Sequence, residues 1–142
     1  MPHIRPIAIC VFRNHNRILV FEGYDPAKEQ YFYRPLGGGI EYGEHSQQTV
    51  AREIKEELGA EVRDLRYLGA VENIFTFNGK TGHEIVQIYD GIFVDPDLYH
   101  RAEMEGMEDS GERFRVMWKD LDEFNSKTPL YPDGLKEMLQ SL

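Results

Sequence analysis

Residues 37–60 read GGGIEYGEHSQQTVAREIKEELGA. Three consecutive glycines end a strand-like run, because glycine admits backbone angles that other residues avoid, and a loop is expected there. From Ser46 to Leu58 the apolar residues Val50, Ala51, Ile54 and Leu58 recur at helical spacing. Ser46 is placed to cap the start of this helix, and Gly59 suits the left-handed position at its end. At about 100° of rotation per residue, those four residues share one arc while Glu53, Glu56 and Glu57 fill the adjoining arc. Glu53 and Glu57 form a like-charge i,i+4 pair, which costs a few tenths of a kcal/mol in an isolated helix. Arg52 and Lys55 offset part of that. Such a run is either a solvated acidic face or a set of carboxylates gathered for a cation. The preceding glycines can bring backbone carbonyls close, and hard divalent ions such as Mg²⁺ take oxygen ligands of both kinds.

On either side of this segment the pattern is mostly strand. IAICVF and RILVFEGY read as a hairpin across the turn residues of RNHNR, Asp25 to Gln30 as a loop, and YFYRPL as a further strand. Downstream, AEVRDLRYLGAVENIFTF and HEIVQIYDGIFV read as long strands around NGKTG. RFRVMW alternates so that Phe114, Val116 and Trp118 face one way, into the core. DLDEF suggests a short helical turn. A terminal helix is expected from Pro132, with Leu135, Met138, Leu139 and Leu142 on one stripe. A sheet between helices is the architecture this order implies.

The chain has 142 residues, 41% hydrophobic and 29% charged, without repeats or linker-like tracts, so residues 1–142 are expected to form one domain. Neither a signal-peptide pattern nor an apolar run of about 20 residues is present, and a cytoplasmic protein with no membrane partner is expected. The single cysteine, Cys10, lies in an apolar run and reads as a buried, inert thiol. The five histidines show no ligand spacing. A net charge of -9 with no clustered Lys or Arg argues against a nucleic acid polymer as partner. It also means that a phosphate-bearing ligand would have to be attracted by something other than the net field, such as a bound metal.

Gly38, Glu44, Arg52, Glu53, Ile54, Glu56, Glu57 and Gly59 stand at the fixed positions of the Nudix box, and over residues 38–60 the chain resembles the MutT-like Nudix hydrolases. Ala60 departs softly from it, where the family prefers a larger aliphatic residue. The resemblance implies an α/β/α sandwich with a mixed β-sheet. It also implies an enzyme that hydrolyses a nucleoside diphosphate linked to another group, with Mg²⁺ or Mn²⁺ and water attack on phosphorus. The substrate would be a small nucleotide: a nucleoside triphosphate, a nucleotide sugar or a dinucleoside polyphosphate. Many relatives are homodimers. A non-catalytic Nudix module that senses nucleotides or binds protein is the alternative, but such modules often lose box carboxylates and this chain keeps them all.

Carried over by position, the resemblance makes Glu53, Glu56 and Glu57 the metal-holding carboxylates, with a carbonyl at Gly38 or its neighbour as a further ligand. Arg52 would orient a glutamate, Glu44 would brace Arg52 or meet a second ion through water, and Glu41 is a further ligand candidate. The general base would be Glu53, or a glutamate on a later loop, for which Glu108 is the choice over Glu105 and Glu112. Tyr31 and Tyr33, just before the glycines, could stack a base, with Arg34 or Arg13 meeting a phosphate. Alternating strand aromatics are more commonly core. Subgroup markers do not select a substrate. The proline of ADP-ribose hydrolases and the coenzyme A signature are absent, and Phe75 and Phe77 stand where some dinucleoside polyphosphate hydrolases carry tyrosine.

Overall fold

The structure, a computed structural model, describes residues 2–142. In chain order it contains β1 (Arg5–Asn14), β2 (Arg17–Asp25), β3 (Gln30–Arg34), β4 (Leu36–Gly39), α1 (Ser46–Leu58), β5 (Val62–Phe77) and β6 (Lys80–Phe93). A 3₁₀ turn at Pro96–His100 leads to β7 (Glu103–Met107) and β8 (Arg113–Asp120), followed by a second 3₁₀ turn at Leu121–Glu123 and α2 (Leu135–Gln140).

The β1–β2 hairpin forms as expected but stays paired only at its tip, where Arg13 faces Ile18 and Asn14 faces Arg17. Beyond that the two strands part. β1 runs parallel to β6, β2 runs antiparallel to β3 and β8, and β4 fills the space that β2 leaves by pairing Leu36–Gly39 with Ile7–Cys10. The glycines thus belong to a strand rather than to the expected loop. Their use is close approach: a Cβ on Gly37 would overlap the carbonyl oxygen of Ala8, and one on Gly38 would overlap the Glu53 carboxyl group. Asn78 and Gly79 turn the β5–β6 hairpin with φ of 49° and 78°, the left-handed pair that such two-residue turns require.

Alternation along β1 divides the core between two layers. Ile7, Ile9 and Val11 join Val86, Ile88 and the α2 residues Leu135 and Leu139, while Ala8, Cys10 and Phe12 join Leu36, Trp118 and the α1 residues Val50 and Ile54. The mixed sheet therefore lies between helices, the α/β/α sandwich expected. Cys10 is buried and its thiol pKa is pushed up by burial. Val116 and Trp118 face the α1 layer as expected, and Met117 fills the opposite one. Among the described residues no helix is long and apolar enough to cross a membrane.

The local differences have local causes. His45, not Ser46, is the N-cap of α1: its backbone N–H donates to the Gln48 side chain at 2.9 Å, while the Ser46 hydroxyl pairs with that of Tyr89 at 2.6 Å. Thr49 takes the packed place expected of Ala51, which is exposed. Gly134, at φ +91°, interrupts helical geometry, so α2 starts at Leu135 instead of Pro132, and Leu142 lies beyond its end and exposed. β7 gives little sequence signal because its burial comes from pairing with β8 and not from apolar content. Replacing Gly37 by Ala is expected to destabilise the fold by about 2 kcal/mol or more, since the obstacle is backbone on the central strand. Urea unfolding of Gly37→Ala beside wild type measures this.

Candidate active site

Where β1 and β2 part, a cavity of ≈ 350 Å³ opens, bounded by the β4 glycines, the acidic side of α1 and the β7–β8 turn. Glu53 and Glu57 enter it from α1, Glu108 and Asp109 from the turn. Burial of Val50 and Ile54, worth about 1.5–3 kcal/mol each, fixes the roll of α1 that presents those carboxylates. Gly38 allows the close contact: with no side chain there, the Glu53 carboxyl group rests directly against the β4 backbone.

Arg52 holds this arrangement. Its Nε and Nη2 donate to the two oxygens of Glu44 at 2.8 and 2.9 Å, a bidentate pair of the strong kind. Nη2 also donates to the Gly39 carbonyl at 3.1 Å, and Nη1 donates to Glu53 at 2.9 Å and Glu56 at 3.4 Å, with Glu41 at 3.5 Å. Glu44 further accepts from the Thr49 hydroxyl at 2.6 Å and from the Glu41 N–H at 3.2 Å. These donors, Arg52 first, hold the Glu44 carboxyl down to about 2. The same partners raise the pKa of Arg52, which stays charged.

Glu53 and Glu57 are shifted the opposite way. Burial raises both, and Glu57, facing Glu53, Glu108, Glu56 and Asp109, is pushed up to about 8. One oxygen of Glu57, Oε1, is buried with no hydrogen-bond partner. A buried polar atom without a partner is costly, and a carboxylate crowded by four others lacks a positive counterpart. A divalent cation would supply it, so the donors present fit such an ion: carboxylate oxygens beside the β4 backbone. Among the described residues no three acidic or histidine side chains converge as a finished cage. Glu53 and Glu56 are instead both held by Arg52.

The remaining sequence expectations divide. Glu105 is tied to Arg113 across β7–β8, and neither it nor Glu112 lines the cavity that Glu108 reaches. Glu41 is exposed at the loop. Tyr33 is core, its hydroxyl donating to Glu22 at 2.9 Å, and Tyr31 lies on the surface against Tyr24; neither lines the cleft. Strand alternation sends their neighbours Phe32 and Arg34 there instead. Arg13 pairs with Asp90 at 3.0 Å on another face. Sequence reasoning missed Arg5, Glu84 and Asp109. Glu84 was detectable as a carboxylate in phase with Val86 and Ile88, two buried positions of β6.

A family model described as "NUDIX domain" matches residues 1–142. The chain belongs to the Nudix hydrolase family. Over 69 residues it is 41% identical to the NAD-capped RNA hydrolase NudC of Vibrio atlanticus, and over 76 residues 40% identical to that of Mycobacterium tuberculosis. Each alignment takes in 49% of this chain but only 25% and 22% of the relative. The chain thus spans about a quarter of the length of the curated relatives it matches. Its fold is similar to the MutT NUDIX hydrolase of Burkholderia pseudomallei, with a TM-score of 0.61, 22% identity and 99% of both chains covered. A NUDIX hydrolase from Nitrosomonas europaea gives a TM-score of 0.63 at 21% identity, covering 97% of this chain and 87% of that one.

The raised Glu57 pKa sets a sign for stability against pH without metal. The folded chain keeps a proton that the unfolded chain releases above about 4.5, so stability falls as pH rises from there to about 8. Glu44 acts in the other window, losing its contribution as pH falls from 4.5 toward 2. In EDTA the wild-type Tm is expected to drop between pH 5 and pH 8, and Glu57→Gln to flatten that drop. Mg²⁺ at pH 8 should then raise the Tm of wild type and not of Glu57→Gln, as differential scanning calorimetry can measure.

Proposed function

We propose that this Nudix chain hydrolyses a nucleoside diphosphate linked to another moiety, using a divalent cation, Mg²⁺ with Mn²⁺ as substitute. The observation that supports it most is the partnerless oxygen of Glu57 beside Glu53 and Gly38, inside a cavity large enough for a diphosphate. Glu53, Glu56 and Glu57, with a carbonyl at Gly38, are the proposed metal ligands. When bound, the ion would neutralise the diphosphate and lower the pKa of a coordinated water.

The protein's own part is orientation and proton transfer. Arg52, anchored by Glu44, fixes the Glu53 carboxylate and leaves the other Glu53 oxygen for the cavity. Glu53 is the proposed general base, because Arg52 fixes its carboxyl group where it enters the cavity, in reach of a bound water. Glu108 on the β7–β8 turn is the alternative; its N–H donates to the Glu112 carbonyl at 2.8 Å, which closes that turn.

The relatives' name bears on the substrate. NudC is named for hydrolysis of NAD-capped RNA, which stands against the expectation that no nucleic acid polymer is involved. We take the small nucleotide as the primary substrate class, and a capped 5′ end belongs in the same test. Phosphate or nucleotide release is to be measured from nucleoside triphosphates, nucleotide sugars, dinucleoside polyphosphates, NAD and NAD-capped RNA, with and without Mg²⁺ or Mn²⁺. Metal-dependent release from at least one is expected; none from any would end the proposal. Glu53→Gln should lower turnover about 100-fold or more with the fold intact, and Gly38→Ala, which displaces the same carboxylate, should lower it similarly. A lost acidic limb in the pH–rate profile of Glu108→Gln, with Glu53→Gln keeping it, would move the base to Glu108.

A further inference from the structure

Arg13, which is paired away from the catalytic cleft, opens on a cavity of its own. This cavity, of ≈ 490 Å³, lies at the far end of the sheet, and Arg13, His15, Asp64, Arg66, Asp90 and Tyr99 line it. It shares no lining residue with the acidic cavity. Arg5, which does line the acidic cavity, stands eight residue steps back along β1, roughly 26 Å of extended strand.

Sheet register builds the cluster. Asp90 follows Val86 and Ile88 in phase along β6, so its carboxylate stands on the face that α2 covers farther along. Arg13 follows Ile9 and Val11 in the same way along β1. On β5 the pair Arg63–Ile92 is followed by Arg66–Asp90, three steps on one strand against two on the other. This is a bulge, and Asp64 within it takes φ 53°. Without the extra residue the apolar Leu65 would stand opposite Asp90; with it, Arg66 does. In the β1–β2 turn His15 takes φ 60°, a backbone that such turns usually give to Asn, Asp or Gly. Left-handed backbone at non-glycine residues is uncommon and collects at functional sites. Two such residues line this one cavity.

The charges do not balance within it. Arg13 Nη2 and Arg66 Nη2 both donate to the same oxygen of Asp90, Oδ2, at 3.0 and 2.8 Å. One guanidinium would neutralise that carboxylate, and Asp64 is already paired with Arg63, so one positive charge is in excess. Each guanidinium carries five N–H donors in a fixed fork, and among the described residues neither has a second acceptor. Two forks that meet at one oxygen, with donors left over beside a cavity, suit the several oxygens of a phosphate. The cavity is larger than a phosphate, and Ile92 and Tyr99 line part of it, which leaves room for a short organic group.

We propose that the Arg13–Arg66 cavity is a binding site, separate from the catalytic cleft, for the dianionic phosphate group of a small phosphate monoester. Inorganic phosphate carries the same chemistry without the organic group, and a phosphodiester carries only one charge.

The probes are inorganic phosphate, glycerol 3-phosphate and dimethyl phosphate, titrated into the ¹⁵N-labelled chain in EDTA at pH 8 and constant ionic strength. Backbone amides and arginine Nε–H resonances report where each binds. Phosphate and glycerol 3-phosphate should shift Arg13, Arg66 and Ile92 in a saturable way, and dimethyl phosphate should bind about tenfold more weakly or worse. Tighter binding of glycerol 3-phosphate than of phosphate assigns the site to an ester; the reverse order assigns it to the free ion and overturns the ester. Arg66→Gln, at a side chain 63% exposed, should keep the fold and lower the affinity about tenfold, the scale of one charge-assisted hydrogen bond. Asp90→Asn, which removes the competing carboxylate, should raise it roughly threefold or more. If Asp90→Asn fails to fold by circular dichroism, Arg66→Gln decides alone. A purely structural role for the two arginines predicts lost stability in these variants with no change in phosphate affinity. That result, shifts confined to Arg5 and Arg34, or no saturable shift at Arg13 and Arg66 would overturn the proposal.

Discussion

The active-site region depends on one guanidinium. Arg52 carries hydrogen bonds to oxygens of the loop, of β4 and of its own helix, so the relative placement of three segments is set at a single group. Among the described residues no other charged side chain hydrogen-bonds both the Gly39 carbonyl and the acidic side of α1. Arginine can do this because its planar fork keeps several donors in fixed directions, whereas a lysine ammonium would satisfy one carboxylate at a time. Glu44 contributes by taking two of those donors at once, and Thr49, fully buried, fixes Glu44 in turn. The crowding of Glu53, Glu56 and Glu57 is eased on this helix because Arg52 donates hydrogen bonds to the first two. The third, Glu57, has no such donor at its buried Oε1.

The sequence carried much of this architecture and little of the substrate side. The α1 boundaries and the facing of Val116 and Trp118 follow from periodicity, and the turn read over NGKTG from turn chemistry, though β6 starts three residues earlier than read, at Lys80. The glycine run was misread as a loop for a physical reason. Glycine serves both strained turns and close approach, and only the partner strand shows that Ala8 and Glu53 occupy the missing side-chain space. Period-2 alternation does put Tyr31 and Tyr33 on one face and Phe32 and Arg34 on the other. Which face meets the cleft depends on the parting of β1 from β2, and that is a tertiary fact. The pairing of Phe32 with Gly23, Phe75 with Gly82 and Phe114 with Gly106 is equally silent in sequence, since each member looks ordinary until the register places them opposite one another.

The charge distribution bears on how a chain of net charge -9 would accept the anionic substrate proposed for it. In a cleft with low-dielectric walls, local charges outweigh the sum over the surface. Here the local order is carboxylates at one end, the guanidiniums of Arg5 and Arg34 at a neck, and the uncharged rings of Phe32, Phe75 and Phe77 beyond. Without a cation the acidic end would repel a diphosphate, so productive binding and cation binding must be coupled: each lowers the electrostatic cost of the other, by the same free energy in both directions. The neck escapes this coupling because its positive charge is built in. On the proposed reading, the neck would attract an anionic substrate with or without a cation, and the cation would govern only its entry to the acidic end.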